Sequence, residues 1–322
     1  MTCRKCQHSN VRKFGNYGKR RIQRYRCSDC MATFSMPPAK PLGNHTLEFD
    51  KAIQIVRLLM EGVTIRGTSR ITGVHKNTIM SLSVTVGRKC LELLDSRIRD
   101  IHPRYVQADE IHTFVHTKEK HLWRADPAEW GDCWTWIALD AETKLIIAHH
   151  VGKRRTADAV TFVRDLASRT TGRFQLTTDA FKPYYYAVPR TFGNDLDYAQ
   201  LAKVFSGPDG SGPGWYGPPE VIAVTAKPIT GDPDAGHIST SYVERSNLSV
   251  RTSLRRFTRL ALGFSKKREN LAATVALYVA WYNFCRVHLT LRCTPAMAAG
   301  IADRAWTVAE LLAGGETRMR AA

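Results

Sequence analysis

The sequence predicts a multidomain protein in which two small basic modules precede a larger α/β domain. Three observations support this prediction: paired cysteines near the start, helical apolar spacing up to about residue 98, and alternating apolar spacing from Pro103 onward. A chain of 322 residues is long enough for two or three domains, and its 43% hydrophobic content is ordinary for a folded protein with a substantial core.

Charge divides the chain in a similar way. Residues 1–100 carry 19 Lys and Arg against 7 Asp and Glu, residues 101–240 carry 15 against 17, and residues 241–322 carry 13 against 5. Two basic flanks that hold a phosphate backbone around a middle that uses carboxylates would produce this distribution. The alternative is that the basic segments are merely solvated surface.

Residues 1–40 have the cysteine spacing of a zinc ribbon. Two C-x-x-C pairs are separated by twenty residues, and the four thiols are Cys3, Cys6, Cys27 and Cys30. Each tight turn offers two thiolates, and two such turns complete a tetrahedral Zn²⁺ site, with a short hairpin between them. Two disulfides are the competing use. A module this polar has too little core to fold alone, so we expect structural zinc.

Residues 46–98 have the proportions of a helix-turn-helix. After a first helical run that stops at Gly62, a short helix over 65–71, a turn at Gly73 and a second apolar-faced helix follow. An ordinary helical hairpin is the alternative. The residues expected at the exposed N-terminal end of the second helix, where contacts to base edges are made, are His75, Lys76, Asn77 and Thr78.

The pattern of residues 101–290 predicts the α/β domain. A strand over 104–115 carries Asp109, and strand alternation directs Glu110 to the opposite face, so only one of the two is expected in a given site. A hairpin with its turn at Asp140, a helix in TADAVTFVRDLASRT and a strand in FQLTTDAF follow. The last strand delivers Asp179 at its C-terminal end.

One acid stands out in the basic segment that follows. Between Asp234 and Glu269, Glu244 is the sole carboxylate among eight Lys and Arg residues. Strand, hairpin, helix, strand and a later helix bearing a glutamate is the order of a ribonuclease-H-like fold, which would bring Asp109, Asp179 and Glu244 together. Converging carboxylates repel one another, and two Mg²⁺ ions would compensate them. Asp140 could replace one of the aspartates, although its position favours a turn-forming role.

These segments resemble a transposase of the insertion sequence 1 family, a group of DDE enzymes of bacterial mobile elements. The matching segments, in chain order, are RYRCSDC, the helix-turn-helix, DEIHTFV, TDAFKPY, VERSNLSVRTSLRRFTR and WYNFCRVHLTLRCTPAMAAG. The resemblance implies that Asp109, Asp179 and Glu244 are the catalytic triad and that Mg²⁺ or Mn²⁺ is required. It also implies that Arg251 takes the basic position after the glutamate and that the N-terminal half recognises terminal inverted repeats.

Two further segments are interpreted from composition and position. Residues 206–236 are dense in glycine and proline, which favours an inserted loop over the site or a flexible excursion of the chain. Residues 291–322 are interpreted as a C-terminal tail. The arginines around Glu244, including Arg251 and Arg255, are expected to contact DNA.

The leading hypothesis is a transposase that acts as a dimer or larger complex on double-stranded DNA. It would bind the ends of its element, hydrolyse their 3′ ends and join them to target DNA. A transposase-derived repressor that binds without cutting, and a ribonuclease-H-like nuclease or resolvase, are the alternatives. No apolar run of 18 residues and no apolar signal core are present, so we expect a cytoplasmic, nucleoid-associated protein.

Overall fold

The computed structural model describes residues 2–3, 5–18, 22–35, 41–205, 221–259 and 261–315. The chain divides into two compact units, Met1–Asn44 and His45–Ala322. The boundary predicted within the second unit, between a helix-turn-helix and an α/β domain, stays a prediction. Both predicted domains belong to the same compact unit, and the helices of the predicted helix-turn-helix pack on helices of the predicted α/β domain.

The first unit is built on a small antiparallel sheet. Its strands are β1 (Val11–Tyr17), β2 (Ile22–Cys27) and β3 (Thr33–Ser35), with β2 in the centre. The predicted hairpin between the cysteine pairs is thus confirmed. Most strand residues of this unit are exposed or half-buried, so the sheet has little apolar core of its own.

The second unit begins with three helices, α1 (Phe49–Met60), α2 (Ile65–Thr72) and α3 (Lys76–Arg97). Helix α2 starts where the Thr64 hydroxyl accepts a 2.9 Å hydrogen bond from the amide of Gly67, and it ends at Gly73, whose φ of 73° suits a residue without Cβ. Helix α3 is capped by the preceding residue His75, whose ring Nδ1 accepts a 3.3 Å bond from the amide of Asn77.

Helix α3 packs closely on α7 (Arg268–Phe284), a helix whose residues are buried on almost every side. The closest approach is at Gly87. A Cβ atom there would lie 2.1 Å from the carbonyl oxygen of Ala273, so only glycine allows this helix spacing.

The remainder of this unit is organised around a six-stranded mixed sheet of order β6-β5-β4-β7-β8-β9. Strands β4, β5 and β6 form an antiparallel meander, β7 and β8 are parallel to β4, and β9 is antiparallel to β8. The strand bounds are β4 (Tyr105–Val115), β5 (Gly131–Asp140), β6 (Ile146–Gly152), β7 (Gln175–Asp179), β8 (Asp197–Phe205) and β9 (Val221–Thr230).

Helices cover the sheet. The buried Trp136 side chain on β5 packs against Phe162 and Tyr184, which places α4 and α5 on its face of the sheet. Helix α6 contacts β4 and β5, and α7 contacts β6. The remaining helix bounds are α4 (Thr156–Arg169), α5 (Lys182–Phe192), α6 (Ser241–Ser253), α8 (Pro295–Ala298) and α9 (Val308–Leu312).

The segment interpreted as an inserted loop is in part a strand. Residues 206–220 lie outside the described residues, but Val221–Thr230 forms β9 and pairs with β8 along its length. The interpretation of 206–236 as a loop is therefore wrong for these ten residues. Glycine and proline upstream dominated the composition, although VIAVTAKPIT alone has strand-favouring residues.

The described part of the C-terminal segment, residues 291–315, packs on the rest of the second unit. The Trp306 ring stacks on Phe284 of α7 with centroids 4.4 Å apart, and Leu311 and Leu312 of α9 are buried. Among the described residues, no helix is both long and apolar enough to cross a lipid bilayer.

Candidate active site

Two aspartates lie where the parallel pairing of β4 and β7 ends. The last paired residues are Ala108 and Thr178, and Asp109 and Asp179 follow them on the two strands. Strand β7 stops at Asp179, whereas β4 continues beside β5. Both carboxylates therefore stand at a step in the sheet where β4 and β7 no longer pair, while Asp109 still pairs with β5 and Asp179 with β8.

Helix α6 is attached to this step through its N-terminus. The side-chain Oε1 of Gln107, buried on β4, accepts hydrogen bonds from the amides of Tyr242 and Val243 at 2.8 and 3.1 Å. No side chain of α6 or of its N-cap residue performs this role. The bonds satisfy two of the unpaired amides of a helix start and bring Glu244, in the first turn, toward Asp109.

A second contact fixes the rotation of α6. The amide Nδ2 of Asn247 donates a 2.7 Å hydrogen bond to Oδ2 of Asp109. Since Asn247 is three residues after Glu244, both side chains leave the same face of the helix. Glu244 and Asp109 are therefore oriented toward one another across the step.

Glu110 also reaches this site, contrary to expectation. Glu110 lies opposite Trp136 in the sheet and so on the α4 and α5 face, as strand alternation requires. One oxygen each from Asp109, Glu110 and Asp179 nevertheless lie within 4.8 Å of one another, a spacing suited to a shared metal ion. The prediction that only one of the adjacent acids joins the site is wrong because β7 has ended here and a long side chain can bend around the open edge.

Arg154 lies between two of these acids. Its Nε donates to Glu110 Oε2 at 3.0 Å, its Nη2 lies 3.1 Å from Asp179 Oδ2, and its guanidinium is 3.9 Å from the ring centroid of Phe181. The arginine therefore supplies positive charge where the carboxylates converge, while the aromatic ring holds the guanidinium in place.

Glu244 has partners of its own. Its carboxylate forms an ion pair with Lys203 of β8 and accepts a 2.6 Å hydrogen bond from the hydroxyl of Thr240. It is not one of the three acids within 4.8 Å, but it lines the same cavity of about 620 Å³ as Asp109 and Asp179. The cavity thus receives acids from β4, β7 and α6.

Burial makes ionisation of these acids costly. It raises the pKa of Asp109, and together with the smaller effect of the charges on Asp179 and Glu244 it brings that pKa to about 6. It also raises the pKa of Glu110 to about 8 and that of Asp179, with Asp179 adding to the effect on Glu110 and Glu244 to that on Asp179. One arginine and one lysine therefore do not fully compensate the negative charge.

Unpaired polar atoms suggest room for a divalent cation. The Glu110 side chain is 1% exposed, and its Oε1 has no hydrogen-bond partner. The Tyr184 hydroxyl adjoins Glu110 but also lacks a hydrogen bond of normal geometry, as does Oδ1 of Asn247. Hard oxygen donors with unused lone pairs are the ligands that Mg²⁺ and Mn²⁺ prefer, so Asp109, Glu110 and Asp179 fit such an ion.

The N-terminal cysteines form a second cluster. The sulfur atoms of Cys3 and Cys30, and those of Cys6 and Cys27, are 3.5 Å apart, and all four lie within 4.8 Å of one another. Tetrahedral Zn–S bonds of about 2.3 Å require sulfur atoms about 3.8 Å apart. None of the cysteines is disulfide-bonded, so the four thiols could hold a zinc ion.

The structure also locates the remaining predicted residues. His75, Lys76 and Asn77 are exposed at the start of α3, and Thr78 is half-buried. Arg251 is half-buried and donates to the carbonyl of Phe257 at 3.2 Å, whereas Arg255 is exposed. Their contacts with DNA stay predictions.

Asp140, the alternative acid, is part of a turn. Its carboxylate accepts bonds from the amide of Glu142 at 3.0 Å and the hydroxyl of Thr143 at 2.6 Å. It is absent from the cavity lining, so the turn-forming interpretation is confirmed.

Four side chains of the site belong to no sequence motif. Gln107, Arg154, Lys203 and Asn247 are polar residues scattered over 141 positions of the chain, and only the folded sheet brings them to the acids. Asn247 alone could have been found, because a helix through Glu244 places it on the same face.

Comparisons with known proteins identify no family. No protein-family model matches the chain, and no curated protein matches it. A chain in the cryo-EM structure of a piggyBac transposase synaptic complex with hairpin DNA is similar at a TM-score of 0.35 and 9% identity, with 82% of this chain and 68% of that chain covered. The functional assignment therefore depends on the residues of the site.

Proposed function

We propose that this chain is a DNA transposase of the DDE type. The observation that carries the proposal is the convergence of Asp109, Asp179 and Glu244, from two strands and a helix, on one cavity. The order β6-β5-β4-β7-β8, a three-stranded antiparallel meander followed by two parallel strands, supports a ribonuclease-H-like fold for this domain. The more specific proposal, that the reaction is DNA transposition, is motivated by the resemblance to the insertion sequence 1 family.

The acids would hold Mg²⁺ or Mn²⁺ in this function. Divalent ions bound there would activate an attacking oxygen and stabilise the leaving oxygen of a phosphodiester. Gln107 and Asn247 set the position of α6, and thereby of Glu244, before substrate arrives. Arg154 and Lys203 are placed to exchange their carboxylate partners for phosphate oxygens when DNA enters the cavity.

The rest of the chain would bind the DNA. His75, Lys76, Asn77 and Thr78 stand at the exposed start of α3, the position from which a recognition helix contacts base edges. A zinc-bound ribbon and the basic segment with Arg251 and Arg255 would add phosphate contacts, and the formal charge of +18 favours a polyanionic partner. Joining two ends of an element requires two active sites, so we propose a dimer or larger assembly.

The test combines cleavage and binding on one substrate. Purified protein with Mg²⁺ or Mn²⁺ is given labelled DNA that carries the inverted repeats flanking its gene, and 3′-end nicking and joining are measured. We expect products that Asp109→Asn, Asp179→Asn and Glu244→Gln each reduce at least about a thousandfold. Glu142→Gln, which removes an exposed acid of the β5–β6 turn, is the matched control and should retain activity.

Two outcomes would contradict the proposal that this chain is a transposase acting through these acids. Binding of the repeats without any products, in the wild type and the variants alike, would favour the DNA-binding repressor. Products that persist in the three acid variants would show that the cavity is not the catalytic centre.

A further inference from the structure

Trp123 is the most exposed aromatic residue of the described chain, with 81% of its surface open to solvent. It lies in the loop of residues 116–130 that joins β4 to β5. Tryptophan is highly buried on average and is enriched where its ring meets a ligand or partner, so an exposed ring among cations is a candidate contact surface.

The loop around Trp123 is held in one conformation by its own acids. The amide of Trp123 donates to Asp126 Oδ2 at 2.8 Å, and the amide of Asp126 donates to the carbonyl of Trp123 at 3.0 Å. Glu119 Oε2 accepts a 2.8 Å bond from the amide of Asp132 and lies 3.4 Å from the ammonium of Lys153. The indole is therefore displayed by a braced turn.

Glycine permits the brace. Gly131, with a φ of 84°, starts β5, and a Cβ atom there would lie 2.1 Å from Glu119 Oε2 and 2.6 Å from Leu122 Cδ1. The positive φ favours glycine here, and the ends of the Glu119 and Leu122 side chains occupy the space that a Cβ atom would take as the loop folds back onto the strand.

The charge left on the outside of this loop is mainly positive, with Glu129 as the one exposed acid of the described loop that no internal contact occupies. Glu119 and Asp126 are occupied by internal contacts that shape the turn. Exposed cations flank the indole, with no ion pair in the described part of the chain; they are Lys118, Lys120 and Arg124.

The base of the hairpin adds further cations. Val115, the last residue of β4, forms an isolated bridge with Ser265, and the amide of His116 donates to the Ser265 carbonyl at 2.8 Å. The three residues that follow Ser265 are exposed and basic: Lys266, Lys267 and Arg268.

The loop leaves the sheet on the side of the catalytic acids. Strand β4 runs from the step at Asp109 to Val115, six residues further, and at about 3.3 Å per residue this distance is roughly 20 Å. A nucleic acid held in the cavity could span it with about six base steps of 3.4 Å. The base of the loop that carries Trp123 is therefore within reach of a substrate whose phosphate lies at the acids.

We propose that Trp123 is a stacking platform for an unpaired nucleobase of the bound DNA. An aromatic ring among cations is the pattern by which proteins bind single-stranded nucleic acid, since the ring stacks on a base and the cations hold its backbone. Bases inside an intact duplex are covered by their neighbours, so the ring selects a base that is unpaired or turned out of the helix. The inference rests on the proposed function, because it takes DNA as the ligand.

The test uses substitutions that separate stacking from apolar contact. Full-length protein in zinc-containing buffer without Mg²⁺ or Mn²⁺ is titrated with a 20-nucleotide single strand, a duplex with one unpaired base, and the fully paired duplex. We expect Trp123→Phe to retain most of the affinity for the first two DNAs, whereas Trp123→Leu and Trp123→Ala weaken it about 5- to 100-fold. Affinity for the paired duplex should stay within about twofold, and melting temperatures should be unchanged because the side chain is exposed.

A second variant and an optical signal test the geometry. Glu119→Ala retains the indole but removes the brace, so we expect it to weaken binding of unpaired DNA less than Trp123→Ala does. Quenching of tryptophan fluorescence by the single strand should be largely lost in Trp123→Phe.

Three outcomes would overturn the inference. One is equal affinity in Trp123→Leu and the wild type, which would indicate an apolar contact; another is an equal loss for paired and unpaired DNA. The third is a smaller sedimenting mass in Trp123→Ala without any change in DNA binding, which would indicate a surface between copies of this chain.

Cleavage is measured separately with Mg²⁺ on the inverted-repeat substrate. Stacking without cleavage would contradict the proposed transposase but not the role of Trp123. Cleavage and DNA binding that are both unaffected by Trp123→Ala would contradict the role of Trp123 but not the proposed transposase.

Discussion

Asn247 and Asp109 are joined by a 2.7 Å hydrogen bond that links helix α6 to strand β4 inside the acidic cavity. The bond uses Oδ2 of Asp109 and leaves Oδ1 available to other ligands. The amide of Asn247 therefore orients a carboxylate without adding negative charge to a site that already has an excess.

Replacement of Asn247 by aspartate should make stability depend on pH. At pH 8 Asp109, with its pKa raised by burial to about 6, is ionised, and a second carboxylate at bonding distance should cost about 1–3 kcal/mol of unfolding free energy. At pH 5 Asp109 is largely protonated, so the two groups can share a proton and the loss should be smaller. Urea unfolding of Asn247→Asp and Asn247→Ala at both pH values measures this, and an equal loss for Asn247→Asp at both would contradict it.

Glu110 should govern how the metal-free protein responds to pH. Burial raises its folded pKa to about 8, above the ordinary value of 4.5, so stability is fully present below about pH 4.5 and is lost as pH rises toward and through 8. Asp109 and Asp179 act in the same direction. We expect Glu110→Gln to flatten this decline by an amount on the order of a few kcal/mol.

Divalent ions provide the complementary measurement for Glu110. Mg²⁺ or Mn²⁺ should raise the melting temperature more at pH 8 than at pH 5, because ions bind the ionised acids, and Glu110→Gln should reduce the gain. Glu142→Gln is the exposed control. Superimposable pH and metal profiles for wild type and Glu110→Gln would exclude Glu110 from the metal site.

Loss of zinc should unfold the N-terminal unit alone. Chelation, or Cys27→Ser, should remove about one zinc ion per chain and make residues 1–44 sensitive to protease, because the ribbon has almost no buried apolar side chains. The melting transition of the His45–Ala322 unit should persist. Cys293→Ser, a half-buried thiol outside the cluster, is the control; a zinc content that is unchanged in Cys27→Ser would contradict the site.

Gln107 should affect cleavage although its side chain bonds the start of α6 and is not one of the acids that would hold metal. Gln107→Ala removes both hydrogen bonds at the start of α6 and should lower stability by about 1–3 kcal/mol and cleavage by at least tenfold. Gln107→Met retains the side-chain volume without the acceptor. If Gln107→Met were fully active, packing rather than hydrogen bonding would position Glu244.

Local patterns were sufficient for some elements and not for others. Helix α3 and strand β4 have recognisable apolar spacing, so Lys76 and Asp109 could be placed on them from the sequence. Helix α5 could not be predicted, because Pro183 and Pro189 interrupt its pattern and tertiary packing of Tyr184 and Ala187 decides its conformation.

The site shows the same division. Asp109, Asp179 and Glu244 could be selected because each is an acid at a strand or helix position that a known chain order brings together, and the structure places them along one cavity. Strand alternation predicts Glu110 on the face opposite to Asp109, and it does lie there. Its long side chain nevertheless brings an oxygen within 4.8 Å of the other two acids where β4 and β7 stop pairing, and only the sheet register reveals that position.

The contact at Gly87 has a consequence for the proposed reaction. Helix α3, which begins with the residues expected to touch bases, and helix α7 behind the sheet are locked together with no room for a single methyl group. If α3 binds DNA, the folded monomer fixes the distance along the DNA between the bases that α3 would recognise and the phosphodiester bond that the acids would cleave. One base pair inserted in that interval would turn the scissile phosphate by about 35° around the duplex, away from the acids.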